Sequence, residues 1–439
     1  MSTLPPGPRN LFINTVRNAV DTYGTAFSYF RRYGDPVTVP THHGPLVLTG
    51  DPAGLREIYS VEPEVLEIAQ TRDVLGLLLG NSSLILLTGS RHRRERKLLM
   101  PPFHGARMRA YGALFQEIAL EFAGTWKRDQ PFIIQETTQA ISLEVIIRAV
   151  FGIQHPERVK QFHEVLSRLA GALSPLVLFF PSLRREFGGI GPWSRFVRLR
   201  SELDGLIYAE ITGRRRTAED REDILSLLLS ARDDAGEPMT DEALRDELVT
   251  LLFAGHETTA ITMAWAFYWI HRQPEVLERL RQELAPLGTS PTADALTRLP
   301  YLEAVCNEAL RIYPVLPLVI RRTLQPFTLR GYALPAGTQV GVSTMAAHAH
   351  PQTYPDAERF RPERFLERSF SPFEFAPFGG GTRRCVGAAF AVYEMKVILG
   401  TVLARHRLEL ANGRQVKPRR RSITIGPGGG VEMVYRGAY

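Results

Sequence analysis

Phe375-Ala-Pro-Phe-Gly-Gly-Gly-Thr-Arg-Arg-Cys385-Val-Gly-Ala-Ala-Phe-Ala391 is the stretch on which the reading of this chain turns. One proline and three consecutive glycines deny the loop a regular structure, so its shape is set by what it wraps. The apolar run behind it predicts a helix with Cys385 in the first turn, where open amide N–H groups and the positive dipole end favour thiolate. A thiolate presented there suits a soft metal centre. The alternative is a core cysteine behind a tight turn. The rest of the chain decides between the two.

Composition narrows the field. The chain has 439 residues, 44% of them hydrophobic, enough to bury a large core. Lys+Arg 53 against Asp+Glu 46 leaves a net charge of +7. The basic clusters (Arg91 to Lys97, Arg214 to Arg216, Lys417 to Arg421) carry no interleaved aromatic stacking residues, which argues against nucleic acid. Cys306 and Cys385 are the only cysteines, too few for a disulfide scaffold or a four-cysteine iron–sulfur cluster. They fit a reducing, cytoplasmic setting. Met1 to Asn10 has no apolar signal core and reads as an extended arm. The longest apolar stretches, Leu84 to Leu87 and Pro175 to Pro181, fall far short of the roughly 20 residues of a membrane span, so no membrane anchor is expected.

Periodicity predicts a helix-rich chain with a smaller β region. Residues 11–34 read as helical, Pro36 to Pro40 and Gly44 to Thr49 as strands, and 62–88 as a long loop with short helical pieces. Helical patterns dominate 90–285, with breaks near Pro101, Pro156, Gly188 to Pro192 and Asp233 to Pro238. Another helix, 296–313, is stopped by Pro314. Leu318 to Thr323, Phe327 to Leu329 and Gln339 to Val342 read as strands, as does the region around Pro427. There is no repeat or flexible linker, and a single domain over 1–439 is expected.

The longest predicted helix, Thr240 to Gln273, spans roughly 45 Å. Thr240 caps it, Asp241 and Glu242 suit its first turn, and Pro274 ends it. Its middle reads Phe253-Ala-Gly-His-Glu-Thr-Thr-Ala260, with a glycine and two β-branched threonines where a helix wants neither. Gly255 offers close approach to something flat, and Glu257 beside Thr258 sets a proton source next to an alcohol. His256-Glu257 also suggests a zinc protease, but that motif needs a histidine at 260, which is Ala260. Further on, Glu308 and Arg311 share one helical face, and Arg364 follows in a proline-bent segment. A carboxylate shared by both arginines would tie helix to loop in a structural, partly buried cross-link.

These motifs together resemble cytochrome P-450, a haem-thiolate monooxygenase, of the soluble bacterial kind. The family's cysteine loop, Phe-x-x-Gly-x-Arg-x-Cys-x-Gly, is matched by Phe378, Gly381, Arg383, Cys385 and Gly387. Its Ala/Gly-Gly-x-Asp/Glu-Thr pattern is matched by Ala254, Gly255, Glu257 and Thr258. The Glu-x-x-Arg and Pro-x-Arg-Phe elements are matched by Glu308, Arg311 and Arg364, all in family order. The likeness implies a mainly α, single-domain fold with a long central helix over haem b, Cys385 as axial ligand, and O2 as co-substrate. It implies that Gly381 and Gly387 let backbone lie against the porphyrin and that Arg383 meets a propionate. By position, His92 with Arg96 and Arg321 are further propionate partners, Arg321 being preferred to Arg322. Glu257 and Thr258 would relay protons.

The same likeness implies electrons from an external ferredoxin and its reductase, since the chain holds no iron–sulfur cysteines and no flavin domain. Arg93, Arg94, Lys97 and Arg384 would face that acidic partner. Apolar stretches, Leu77 to Leu79, Leu176 to Phe180 and Leu316 to Leu318, imply a hydrophobic substrate such as a terpenoid, fatty acid, steroid or polyketide. A monomer is expected. Two other classes share the cysteine loop: a haem-thiolate isomerase or dehydratase, and a haem-binding sensor without turnover. Neither needs the Glu257–Thr258 pair.

Overall fold

The computed structural model describes residues 4–62, 64–68, 72–103, 105–172, 184, 189–217, 221–421 and 423–439. Strands are numbered in chain order. β1 (Val37–Thr41), whose first residues alternate apolar and polar, forms a hairpin with β2 (Gly44–Thr49), a short apolar run buried from Leu46 on, and Gly44 takes the positive φ its turn requires. β2 pairs in parallel with β8 (Gln339–Ser343), β8 antiparallel with β5 (Leu318–Thr323), and β3 (Leu66–Ile68) completes a sheet of order β1-β2-β8-β5-β3. A second sheet, β4-β12-β9, joins Pro131–Ile133, Glu432–Ala438 and His406–Leu410. Hairpins β6-β7 (Phe327–Leu329, Tyr332–Leu334) and β10-β11 (Pro418–Arg421, Thr424–Pro427) stand apart.

Packing groups the chain into two compact units. The first comprises Met1–Ala69, Phe115–Gln139 and Thr258–Tyr439; the second comprises Gln70–Leu114 and Ala140–Glu257. Every described strand lies in the first unit, and the described elements of the second are helical. The core against the larger sheet unites Val47, Leu55, Tyr59, Val340 and Val342 with Ala376 of the cysteine stretch. A mainly α fold with a smaller β region is thus what the sequence predicts and the structure has.

Several boundaries moved. Residues 11–34 form two helices, Leu11–Val20 and Thr22–Tyr33, parted at Asp21. The Asp21 N–H closes the first on the Arg17 carbonyl and its carboxylate accepts from Gly24 N–H to open the second (2.9 Å each). β4 and β9 escape a reading by pattern. β4 is a short segment inside a run of helical pattern, and β9 follows directly on the helix Ala388–Arg405, whose pattern masks its start; both are fixed by pairing with distant β12.

Candidate active site

In the first unit the cysteine stretch is anchored near its start. Ala376 N–H donates to Nε2 of His348 (3.0 Å), whose Nδ1–H donates to the Arg311 carbonyl (3.2 Å). Both ring nitrogens are therefore used by a neutral imidazole, and burial, with Arg311 nearby, pushes the His348 pKa down to about 3. Sequence reading missed His348; no local pattern marks it. Gly379 and Gly381 adopt positive φ, and a Cβ at Gly380 or Gly381 would strike the ring or the carbonyl of Tyr59. The glycines at 380 and 381 are thus required by Tyr59, whereas a Cβ at Gly387 would meet only Cys385 Sγ at 4.0 Å.

Cys385 lies outside the helix expected to carry it. The helix runs Ala388–Arg405 with Gly387 as its N-cap, and the Cys385 N–H donates back across the loop to the Phe378 carbonyl (3.0 Å). The first helical residue is Ala388, three beyond the cysteine. The two cysteines also differ in setting. Cys306 is buried, and burial pushes its thiol up to about 12, whereas Cys385 is exposed.

The glutamate–arginine tie is fully buried, deeper than expected. Glu308 receives Arg311 Nε (2.6 Å) and Nη2 (2.7 Å), the Arg361 N–H (2.8 Å), and lies 3.5 Å from Arg364 Nε. Arg311 also donates to the His348 carbonyl (2.8 Å) and Arg364 to that of Asp356 (2.6 Å). One carboxylate thereby serves two guanidinium groups from a helix (Pro300–Ile312) and a proline-bent loop.

Arg321 and Arg322 differ in partners. Arg322 Nε donates to Glu67 (2.8 Å). Arg321, half-buried on β5, meets the Ile320 carbonyl (3.0 Å) and no acid among the described residues; burial lowers its pKa, with Tyr59 opposing. The Tyr59 hydroxyl is buried without a hydrogen-bond partner among the described residues, and burial raises it to about 12. Tyr59 is a site residue that the sequence did not announce. Arg383 is half-buried in the turn Gly381–Arg383.

The central helix runs unbroken from Asp241 to Arg272, with Thr240 Oγ1 accepting from Ala243 N–H (3.1 Å) as its cap. Up to Glu257 it belongs to the second unit. There Asp246 accepts from Ser82 N–H (2.8 Å), Glu247 from Leu84 N–H (2.5 Å), and the Thr250 and Ser83 hydroxyls bond (2.7 Å), which pins the loop 80–84 to the helix. Burial, with Glu95 and Asp246 nearby, holds Glu247 well above the usual carboxylate range. At Gly255 a Cβ would press on Ile146 Cδ1 (2.9 Å), the movable end of that side chain. Ala254 precedes it, and Glu257 ends the second unit's share. In the first unit's share, the Thr258 carbonyl accepts from Thr262 Oγ1 (3.0 Å) and that of Ala260 from Thr138 Oγ1 (3.0 Å).

His92 and Arg96 share the second unit's helix Gly89–Leu99; His92 is buried and Arg96 half-buried, so His92 does not lie on a solvated basic face. Arg94 and Lys97 on this helix are engaged by Asp233 and Asp234. Of the apolar stretches, Leu79 is core, Leu77 borders a cavity of about 520 Å³ that Arg200, Asp204, Tyr208 and Arg245 make polar, and Leu316 is exposed. Leu176 to Phe180 and most of the surrounding 173–188 lie outside the described residues.

Comparison with known proteins agrees with this arrangement. The family model of cytochrome P-450 matches residues 5–430. Cytochrome P-450 135B1 of Mycobacterium tuberculosis is 36% identical over 441 aligned residues, covering 99% of this chain and 91% of the relative. Cytochrome P-450 137 of the same species is 34% identical, covering 93% and 84%. Among solved structures, the retinoic-acid-bound cyanobacterial CYP120A1 superposes with a TM-score of 0.85 at 25% identity, covering 99% of this chain and all of that one. The chain therefore belongs to the cytochrome P-450 family, the haem-thiolate monooxygenases that use haem b with a cysteine thiolate ligand and O2.

Proposed function

We propose that Cys385 supplies the thiolate and that this chain, acting as one catalytic domain, inserts an oxygen atom from O2 into a hydrophobic small molecule. The observation that carries the assignment is the contrast between the cysteines: Cys306 is buried and kept protonated, whereas Cys385 is exposed at the end of a glycine loop. Haem with such a ligand supplies the oxygen activation, the thiolate's electron donation favouring O–O cleavage.

The residues fit the cofactor. Arg321 is a desolvated cation without an acidic partner among the described residues, and the adjacent Tyr59 hydroxyl is buried without an acceptor. A propionate carboxylate would pair with Arg321. Arg322, already paired with Glu67, has less to offer. Arg383, His92 and Arg96 are the other proposed propionate partners. The Phe378 carbonyl fixes the backbone at Cys385 and so aims the thiolate; Gly381 and Gly387 keep the loop slim. Glu257 passes protons from solvent, and Thr258 Oγ1 orients a water on the oxygen side, with Ala254 and Gly255 leaving room.

A terpenoid or other lipophilic acid or alcohol is the proposed substrate class, supported by retinoic acid in the structural neighbour CYP120A1. Electrons are proposed to come from a ferredoxin and its reductase. Arg94 is held by Asp233, which leaves exposed Arg93, Lys97 and Arg384 as the proposed contacts for an acidic partner. A cytoplasmic monomer completes the proposal. With a surrogate ferredoxin system, substrate-dependent O2 consumption coupled to product is expected. Turnover without electrons would instead indicate an isomerase or dehydratase, and haem loading without turnover a sensor.

A further inference from the structure

The helix Leu11–Val20 is amphipathic in the reverse sense. At about 100° per residue, Phe12, Ile13, Val16 and Val20 fall within one arc of about 100°, and they are 77%, 52%, 44% and 83% exposed. The inward side is polar. Asn14 is buried, its Nδ2 donating to the Pro40 carbonyl (2.8 Å), and Asn18 Nδ2 donates to Asn14 Oδ1 (3.0 Å). A helix that buries asparagine and shows phenylalanine, isoleucine and two valines to water has an apolar face meant for something outside the chain.

Charge identifies the occupant. Residues 4–34 carry Arg9, Arg17, Arg31 and Arg32 against a single acid, Asp21, which is used as a helix cap. The helix Thr22–Tyr33 packs on Leu11–Val20 and also touches β10. There Lys417, Arg419, Arg420 and Arg421 are exposed, and Ile423 beyond them is 59% exposed. An exposed apolar arc on a helix pair rich in guanidinium groups and nearly free of acids matches the boundary between acyl chains and anionic headgroups. A second copy of the chain would set these same cations against each other. Among the described residues no helix is long and apolar enough to cross a membrane, so the contact is with a surface.

We propose that this face adsorbs to an anionic phospholipid bilayer. The helix Leu11–Val20 lies in the headgroup plane with Phe12, Ile13, Val16 and Val20 directed to the acyl chains, and the arginines of Thr22–Tyr33 and β10 rest on phosphates. The test is co-sedimentation of the full chain, haem-loaded, with vesicles of phosphatidylcholine containing phosphatidylglycerol and with vesicles of phosphatidylcholine alone. The expected result is binding to the anionic vesicles that salt weakens. Phe12→Ser/Val20→Ser should lower the partition coefficient about tenfold or more, and Arg419→Glu/Arg421→Glu should lower it on anionic vesicles only, with haem content and unfolding midpoint unchanged in both. Sedimentation velocity without lipid is run in parallel. Failure to bind anionic vesicles, or equal binding by the Phe12/Val20 variant, overturns the proposal. So does a dimer that this variant dissolves while vesicle binding stays absent, since the occupant is then a second copy.

Discussion

Replacing Glu308 by glutamine probes the most deeply buried charge arrangement in the first unit. Glu308, Arg311 and Arg364 are all essentially inaccessible to water. The carboxylate takes two hydrogen bonds from Arg311 at 2.6 and 2.7 Å and one from Arg361 N–H, with Arg364 Nε at 3.5 Å. Burial already lowers the Arg364 pKa, and Glu308 is the first influence that opposes it. Glutamine keeps the size and removes the charge, leaving two desolvated guanidinium groups without an anion. Removing one member of a buried ion pair costs about 3–5 kcal/mol, a large part of a total stability of about 5–15 kcal/mol. The exposed pair Arg298–Asp294 serves as control, since deleting such a pair costs less than about 1 kcal/mol. Urea unfolding of Glu308→Gln and Arg298→Ala beside the parent chain gives both costs from midpoint and slope. If Glu308→Gln loses no more than Arg298→Ala, the tie is not what holds the helix Pro300–Ile312 to the loop at 355–364.

Arg321→Ala should weaken haem retention about tenfold or more, as for losing a charge-assisted hydrogen bond worth ~1.5–3 kcal/mol, while Arg322→Ala changes it little; transfer of haem to an acceptor protein measures both, and equal effects would remove the distinction. Thr258→Ala should divert electrons from product to hydrogen peroxide, seen as a lower ratio of product to electrons consumed; unchanged coupling would contradict a proton-handling role. His348 gives a pH dependence. Its folded pKa, about 3, lies below the ordinary 6.5, so its contribution is complete above about pH 6.5 and declines as pH falls toward 3. The slope is roughly 1.4 kcal/mol per pH unit for such a group. His348→Gln should show a shallower fall of the urea midpoint between pH 6.5 and 5; parallel curves would place the effect elsewhere.

How much of this was legible in the sequence depends on the range of the interaction. The central helix announces itself because Thr240, Pro274 and the apolar periodicity between them are local signals, and its observed ends agree. β5 and β6 were readable for the same reason. The start of the helix behind Cys385 was not, because the backbone from Cys385 to Gly387 stays in the loop and no side-chain pattern marks where it turns helical at Ala388. His348 and Tyr59 stayed hidden because their neighbours arrive from far along the chain: Arg311 and Ala376 for one, Gly380 and Gly381 for the other. Motif glycines were recognised as constrained, and at 381 the Tyr59 carbonyl adds a contact that the motif does not name. A motif states that a position is constrained; only packing states by what.

The assignment of the thiolate is tested most directly by the carbon-monoxide difference spectrum of the reduced, haem-loaded protein in two variants. Cys306→Ser should keep the red-shifted band of a thiolate-ligated haem, and Cys385→Ser should lose it, with haem content assayed separately. Persistence of that band in Cys385→Ser, or its loss in Cys306→Ser with haem still bound, would contradict the account.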